Sequence, residues 1–302
     1  MAGAALDGEL TTPAVVAHKG VRFALVTPAD DAAIRRLLRD SPMRGAVSVA
    51  FEREPDYFAG EGLASATDKT LLAFLGERLV SMGRCSTRAA FLNGEPRRVG
   101  YLAELRLDAT VGGRFDILRQ GYRVLRELEA AAPADFYFTS IASDNDRARQ
   151  LLERGLPGLP RYDFLAEFVT LLIPVAKSDR ESRVSLEPAT PGELADFFNA
   201  AARHYQLPAP GATLAHAFLS PFAVEPGVGA PLPDFVAAFF PLAARSGLEF
   251  LTLGFQADDA RLDLLRRRFR CREFRSRLYR VGLTESAAEP DGRPFLPEAA
   301  LL

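Results

Sequence analysis

Cysteine, histidine and lysine are scarce in this 302-residue chain, and the shortages remove whole classes of function. Two cysteines, Cys85 and Cys271, cannot build a disulfide framework, so a reducing cytoplasm is the expected location. Neither has a histidine at recognisable spacing, and both are expected to be small, buried apolar residues. The three histidines, His18, His204 and His216, are widely scattered, and no carboxylate-rich loop resembles a calcium site, so no metal is expected. The longest nearly unbroken apolar run, Phe235 to Ala244, falls far short of the ~20 residues a membrane helix needs. Residues 1–20 carry no early positive charge followed by an apolar core and do not read as a secretory signal. No Gly-x-Ser-x-Gly elbow and no phosphate-binding lysine loop occurs. Lysine is confined to Lys19, Lys69 and Lys177 against 34 arginines, a matter of coding bias rather than of mechanism.

What is present is the composition of a soluble globular protein: 48% hydrophobic, 25% charged and 10% aromatic residues. The length leaves room for about two ordinary domains. A net charge of -2 offers no bulk attraction to phosphate backbones or anionic membranes, so neither nucleic acid nor membrane is an expected partner.

Between an N-terminal tail (1–20) and a C-terminal tail (285–302), strands alternate with helices. Val21 to Val26 alternates as a strand, and Thr27-Pro28-Ala29-Asp30 starts a helix that carries Ala33, Ile34, Leu37 and Leu38 to a stop at Ser41-Pro42. Val47 to Phe51 reads as a strand, followed by a short helix around Asp56 to Phe58. Gly76-Glu77-Arg78 joins Thr70–Leu75 to Leu79–Ser86, and Asn93-Gly94 is a hairpin turn between Ala89–Leu92 and Arg97–Leu107. A helix from about Phe115 to Ala130, a strand Phe136–Ala142, a helix from about Asn145 to Arg154 and a strand Phe164–Ile173 complete the unit. The pattern predicts an α/β (α+β) fold with a mixed, mostly antiparallel sheet flanked by helices and one helical crossover.

A diverged internal repeat follows. Phe23–Ala29 is echoed by Val184–Thr190, Tyr101–Asp108 by Phe218–Glu225, and Phe136–Asp146 by Phe250–Ala260. The second copy lacks the strands between its first strand–helix pair and its C-terminal half, a loss that falls at Gln206–Gly211. The expected domains are therefore 21–177 and a reduced copy at 178–284.

Residues 21–174 resemble an acyl-CoA N-acyltransferase of the GNAT superfamily. The strand Tyr101-Leu-Ala-Glu-Leu-Arg-Leu107 carries the resemblance, with the turn Val111-Gly112-Gly113-Arg114 and the helix after it. So does Ser143-Asp144-Asn145, leading into Asp146-Arg-Ala-Arg-Gln-Leu-Leu-Glu-Arg-Gly155. Residues 183–283 look like a reduced second copy. The resemblance implies acetyl-CoA or another acyl-CoA as co-substrate and a small-molecule or peptide amine as acceptor. Glu104 would act as catalytic base, because an amine must lose a proton before it attacks a thioester. Backbone groups of Leu105, Arg106 and Leu107 would hold the pantetheine. Thr110, Val111, Gly112, Gly113, Arg114 and Phe115 would hold the pyrophosphate at a helix N-terminus. Asn145 would bond the pantetheine arm.

Each assignment has a structural alternative. Strict alternation puts Ala103, Leu105 and Leu107 on one face and Leu102, Glu104 and Arg106 on the other, where Glu104 could be an ordinary solvated residue. Gly112-Gly113 could be only a tight turn, and Asn145 only a helix cap. Phe115 and Ile117 stand where the family has small residues, and Leu152 where it has a tyrosine acid. Tyr162 is expected to be structural. The alternative to catalysis is a GNAT-like module that binds acyl-CoA or a partner without turnover. Nine arginines in Arg261–Arg280 read as a solvated helix and the outer face of a strand. Gly227-Val-Gly229 reads as a loop turn, and the second copy as structural or shaping the acceptor cleft.

Overall fold

The computed structural model describes residues 16–41, 53, 55–60, 67–175, 219, 232–246, 248, 250–285 and 288–297. Nine strands form one sheet: β1 (Val16–His18), β2 (Val21–Leu25), β3 (Thr67–Leu75), β4 (Arg78–Leu92), β5 (Glu95–Leu107), β6 (Phe136–Ala142), β7 (Tyr162–Pro174), β8 (Phe250–Gln256) and β9 (Arg272–Val281). Their spatial order is β1-β2-β3-β4-β5-β6-β9-β7-β8. Every pairing is antiparallel except β5 with β6, which the helical crossover α2 (Phe115–Glu129) joins in parallel. The predicted α/β class with a mostly antiparallel sheet is what the chain adopts.

Local chemistry explains the elements. The helix α1 (Asp31–Asp40) starts behind a capping box in which Thr27 and Asp30 bond reciprocally, and it buries Ile34, Leu37 and Leu38. The β4–β5 hairpin turns at Asn93 and Gly94, both with positive φ, as a two-residue turn requires. The helix α3 (Asp146–Leu152) is capped by Asn145, whose Oδ1 accepts from Ala148 N–H. The helices α4 (Leu232–Ala238), α5 (Phe240–Arg245) and α6 (Arg261–Arg268) cover β7 and β8 through Leu232, Val236, Phe240, Leu262 and Leu265.

The sheet has two differently furnished faces. Helices α2 and α3 pack on one, against Leu102, Tyr137 and Tyr279 and against Phe23, Leu71 and Val80. Helix α1 and the turn Tyr57–Gly60 pack on the other, against Leu72, Phe74 and Met82.

Strand β9, drawn from 178–284, lies between β6 and β7, so the sheet runs across the 177/178 boundary expected from the repeat. Both expected tails contribute structure where described. β1 pairs with β2 through a turn at Lys19-Gly20, and Leu296 is buried against the α4–α6 cluster. Asn93 also receives a hydrogen bond from Asp291 N–H and donates one to the Glu289 carbonyl. Segments this short offer no periodicity to read. The expected strand Val47–Phe51, the repeat segment Val184–Thr190 and Gly227–Gly229 lie outside the described residues, as does all but Leu219 of Phe218–Glu225.

Candidate functional site

Strand β5 separates from β6 halfway along its length. The two pair from Val99 with Phe136 to Tyr101 with Phe138. Beyond that point β5 stays with β4 and β6 goes with β9. Thr139 Oγ1 donates to the Leu102 carbonyl at 2.7 Å and marks the fork. Among the described residues no ladder joins 103–107 to 139–142, so this length of β5 presents backbone polar groups toward a wedge.

A bulge at the fork sets the chemistry. Ala103 pairs with Arg84 and Arg106 with Met82, so Glu104 and Leu105 together stand opposite the single residue Gly83. Glu104 takes φ 54°, a left-handed conformation that costs a non-glycine residue about 1–3 kcal/mol and persists only where its surroundings hold it. The extra residue overturns the strict alternation. Ala103, Glu104 and Arg106 share the α1 face, while Leu102, Leu105 and Leu107 lie on the α2 face. At position 83 a Cβ would meet Leu105 Cδ1 at 3.8 Å, an ordinary van der Waals contact, so the bulge places Leu105 directly over Gly83.

Glu104 is not a solvated surface residue. Its side chain is 9% exposed, and its two oxygens are engaged separately: Arg53 Nη2 donates to Oε1 at 2.6 Å and the Tyr57 hydroxyl to Oε2 at 2.9 Å. Tyr57 also bonds Thr70 Oγ1 at 3.1 Å. Burial first, and then the Glu104 carboxylate, push the Tyr57 phenol well above its ordinary value, so it serves as a donor. Arg84 Nη1 stands 3.9 Å from Glu104, and Arg84 Nη2 is paired at 2.9 Å with Asp68. Burial opposes its charge, but Asp68 and Glu104 together raise its pKa. Along the same face the Tyr101 hydroxyl meets Ser140 Oγ at 2.9 Å across the fork, and burial pushes that phenol up to about 12.

The turn before α2 is the second part of the site. Gly113 has φ 88° with open space at its Cβ position. Arg114 stands at the N-cap without a side-chain cap, which leaves the helix end open. The Arg147 guanidinium, reaching over from α3, lies 3.5 Å from where a Cβ on Gly112 would be. Other features of the turn are spoken for. Asp108 accepts from both the N–H and the hydroxyl of Thr110, Arg114 grips Asp116 with two hydrogen bonds, and Val111 is buried in the core. Phe115 is 44% exposed and Leu105 37%, so both are free to meet a ligand.

Of the residues selected from sequence, Glu104, Leu105, Arg106 and Leu107 lie at the fork, and Thr110 to Phe115 at the turn beside it. Asn145 is the cap of α3. Arg53, Tyr57, Thr70, Arg84 and Arg147 were missed. The short helix around Tyr57 was legible, but no local signal links it to a residue 47 positions away. Leu152 is buried, and Tyr162 is a buried partner of Tyr122, which agrees with a structural tyrosine. Cys85 is buried and Cys271 half-buried. Among the described residues no cluster of metal-binding side chains occurs, and no helix is long and apolar enough to cross a membrane.

No family model and no curated protein matches the chain. Solved structures do. A candidate acetyltransferase from Pyrococcus horikoshii superposes with a TM-score of 0.56 at 14% identity, over 95% of this chain and 97% of that one. A GCN5-related N-acetyltransferase from Anabaena variabilis gives a TM-score of 0.54 at 10% identity, over 87% and 73%. A conserved protein from Enterococcus faecalis described as a probable N-acyltransferase gives 0.53 at 12% identity, over 86% and 72%. The chain has the fold of the GCN5-related N-acetyltransferases.

Proposed function

We propose that this chain is an acyl-CoA-dependent N-acyltransferase, moving an acetyl group from acetyl-CoA to an amine acceptor by direct attack in a ternary complex. The observation that carries the reading is the fork between β5 and β6 with a buried carboxylate, Glu104, at its edge. The residues suit the co-substrate. The unpaired length of β5 would bond an amide-rich arm such as pantetheine. The open α2 N-terminus, Gly112, Gly113 and the Arg147 guanidinium would hold a pyrophosphate.

Glu104 would first take a proton from the acceptor ammonium. The neutral amine nitrogen would then bond to the thioester carbon, the carbon–sulfur bond would break, and the nitrogen's second proton would leave with the CoA thiolate. Arg53 holds Oε1 in the position that an ammonium would occupy, so acceptor entry exchanges one cation for another. Tyr57 keeps Oε2 fixed and the carboxylate aimed. The region 178–284 acts structurally, supported by the placement of β9 inside the sheet.

A second reading, a module that binds acyl-CoA without turnover, is favoured by the engagement of both Glu104 oxygens. Thermal unfolding with acetyl-CoA tests both, since ligand at 100 times Kd adds about 2.7 kcal/mol of stability. No shift at millimolar ligand removes both. A shift without acetylation across an amine panel leaves the second.

A further inference from the structure

Among the described residues around Glu104, the α1 face of the fork carries the guanidiniums of Arg53, Arg84 and Arg106 and the carboxylates of Glu104 and Asp68. Each carboxylate has its own partner: Arg53 holds Glu104 at 2.6 Å and Arg84 holds Asp68 at 2.9 Å. Among these described groups Arg106 is the surplus cation. The bulge puts it on the same face as Glu104, two residues along the strand and opposite Met82, which belongs to the α1 cluster.

Arg106 makes one hydrogen bond, from Nη1 to the adjacent Leu105 carbonyl at 3.0 Å. Its Nε is buried and has no hydrogen-bond partner among the described residues. Burial pushes its pKa down, and Glu104 opposes that shift only at longer range. A half-buried cation with an orphaned donor is costly to the fold unless something else meets it. Guanidinium is planar and forked, and the group it matches best is a carboxylate.

Resting on the acyltransferase reading above, we infer that the acceptor is an amine that also bears a carboxylate, with Arg106 holding the carboxylate while Glu104 faces the amine. The substrate class is thus a free amino acid or a peptide with a free C-terminus, in which one molecule offers both charges. A simple amine satisfies Glu104 but leaves Arg106 unmatched. Arg106 is a specificity residue: it touches the part of the acceptor that does not react.

The experiment compares acetyl transfer from acetyl-CoA to free amino acids and dipeptides with transfer to their C-terminal amides. The expected result is a preference for the acids of about tenfold or more in kcat/KM. In Arg106→Gln the ratio of acid to amide should fall to about one, mostly through KM, and Arg106→Lys should restore part of it. Unfolding separates specificity from structure, because removing a surplus half-buried charge should leave Tm unchanged or raise it. Equal rates on acid and amide overturn the inference, as does a ratio that survives Arg106→Gln or a large loss of Tm in that variant. O-phosphoethanolamine outrunning every carboxylate acceptor also overturns it. Acetyl-CoA binding with no carboxylate-bearing amine acetylated defeats the inference and spares the co-substrate reading. Failure to bind acetyl-CoA defeats the acyltransferase reading itself.

Discussion

Arg53 Nη2 meets Glu104 Oε1 at 2.6 Å although the two residues are 51 positions apart. The pair closes the α1 side of the fork, and with Tyr57 it accounts for both oxygens of the only carboxylate selected as a base. Glu104→Gln keeps the shape and the Tyr57 contact but cannot take a proton. We expect acetyl transfer to fall about 10²–10⁴-fold in kcat while acetyl-CoA binding by calorimetry is unchanged. Wild-type turnover by the variant would remove Glu104 from the mechanism.

Arg147 should matter to the co-substrate and to little else. Its guanidinium lies beside Gly112 at the open end of α2, exposed and remote from the core. Reversing its charge in Arg147→Glu should weaken acetyl-CoA binding by about tenfold, the worth of one charge-assisted contact. Unchanged affinity would show that the turn holds no phosphate.

Gly100 has no room for a methyl group. A Cβ there would sit 2.4 Å from Cδ1 of Tyr137, whose ring is nearly fully buried. The ring cannot slide away, because its hydroxyl donates to Glu129 at 2.7 Å and accepts from Ala134 N–H at 2.9 Å. Gly100→Ala should cost about 1–3 kcal/mol in urea unfolding, and it should do so just before the strands part.

Lys69, one of three lysines, reaches Glu129 at 2.7 Å. Glu129 is 1% exposed and Lys69 25%, so Lys69→Met leaves a buried carboxylate without its cation. The loss should be about 3 kcal/mol, at the lower edge for a buried pair because the lysine is partly solvated. Adding Glu129→Gln should recover part of it, and a chemical denaturation cycle on the four proteins measures the coupling.

The tyrosine core should fail in alkali. Burial pushes the Tyr122 phenol up to about 12, and its neighbour Tyr162 is raised well above its ordinary value by the same cause. A phenol whose folded pKa is raised holds its proton after the unfolded chain has lost it. Its contribution is therefore complete below pH 10 and is lost as pH rises through about 12. Tm should fall over that interval, and Tyr122→Phe should flatten the decline.

Much of the frame was legible because its signals are local. The Thr27–Asp30 capping box, the Asn93-Gly94 turn and the amphipathic α2 each follow from residues within a few positions of one another. Glu104 could be selected, but its face could not be derived. A bulge carried by glutamate rather than glycine leaves no mark in the residue pattern, so alternation assigned Leu102 and Ala103 to the wrong faces. The place of β9 was equally hidden, since pairing across more than a hundred residues leaves no periodicity to read.

The sequence by itself determined the class of fold and the order of its elements from β2 to β7, and it selected the stretch of chain that the proposed chemistry uses. Hydrophobic period, turn chemistry and capping act over short separations, and one strand of sequence contains them. Only the tertiary structure decided that β5 and β6 part at Leu102. It alone brought Arg53, Tyr57 and Arg84 to Glu104, and left Arg106 without an ion-pair partner among the described residues. Those are matters of which distant groups share a buried space, where the balance of charge depends on every element packed around it.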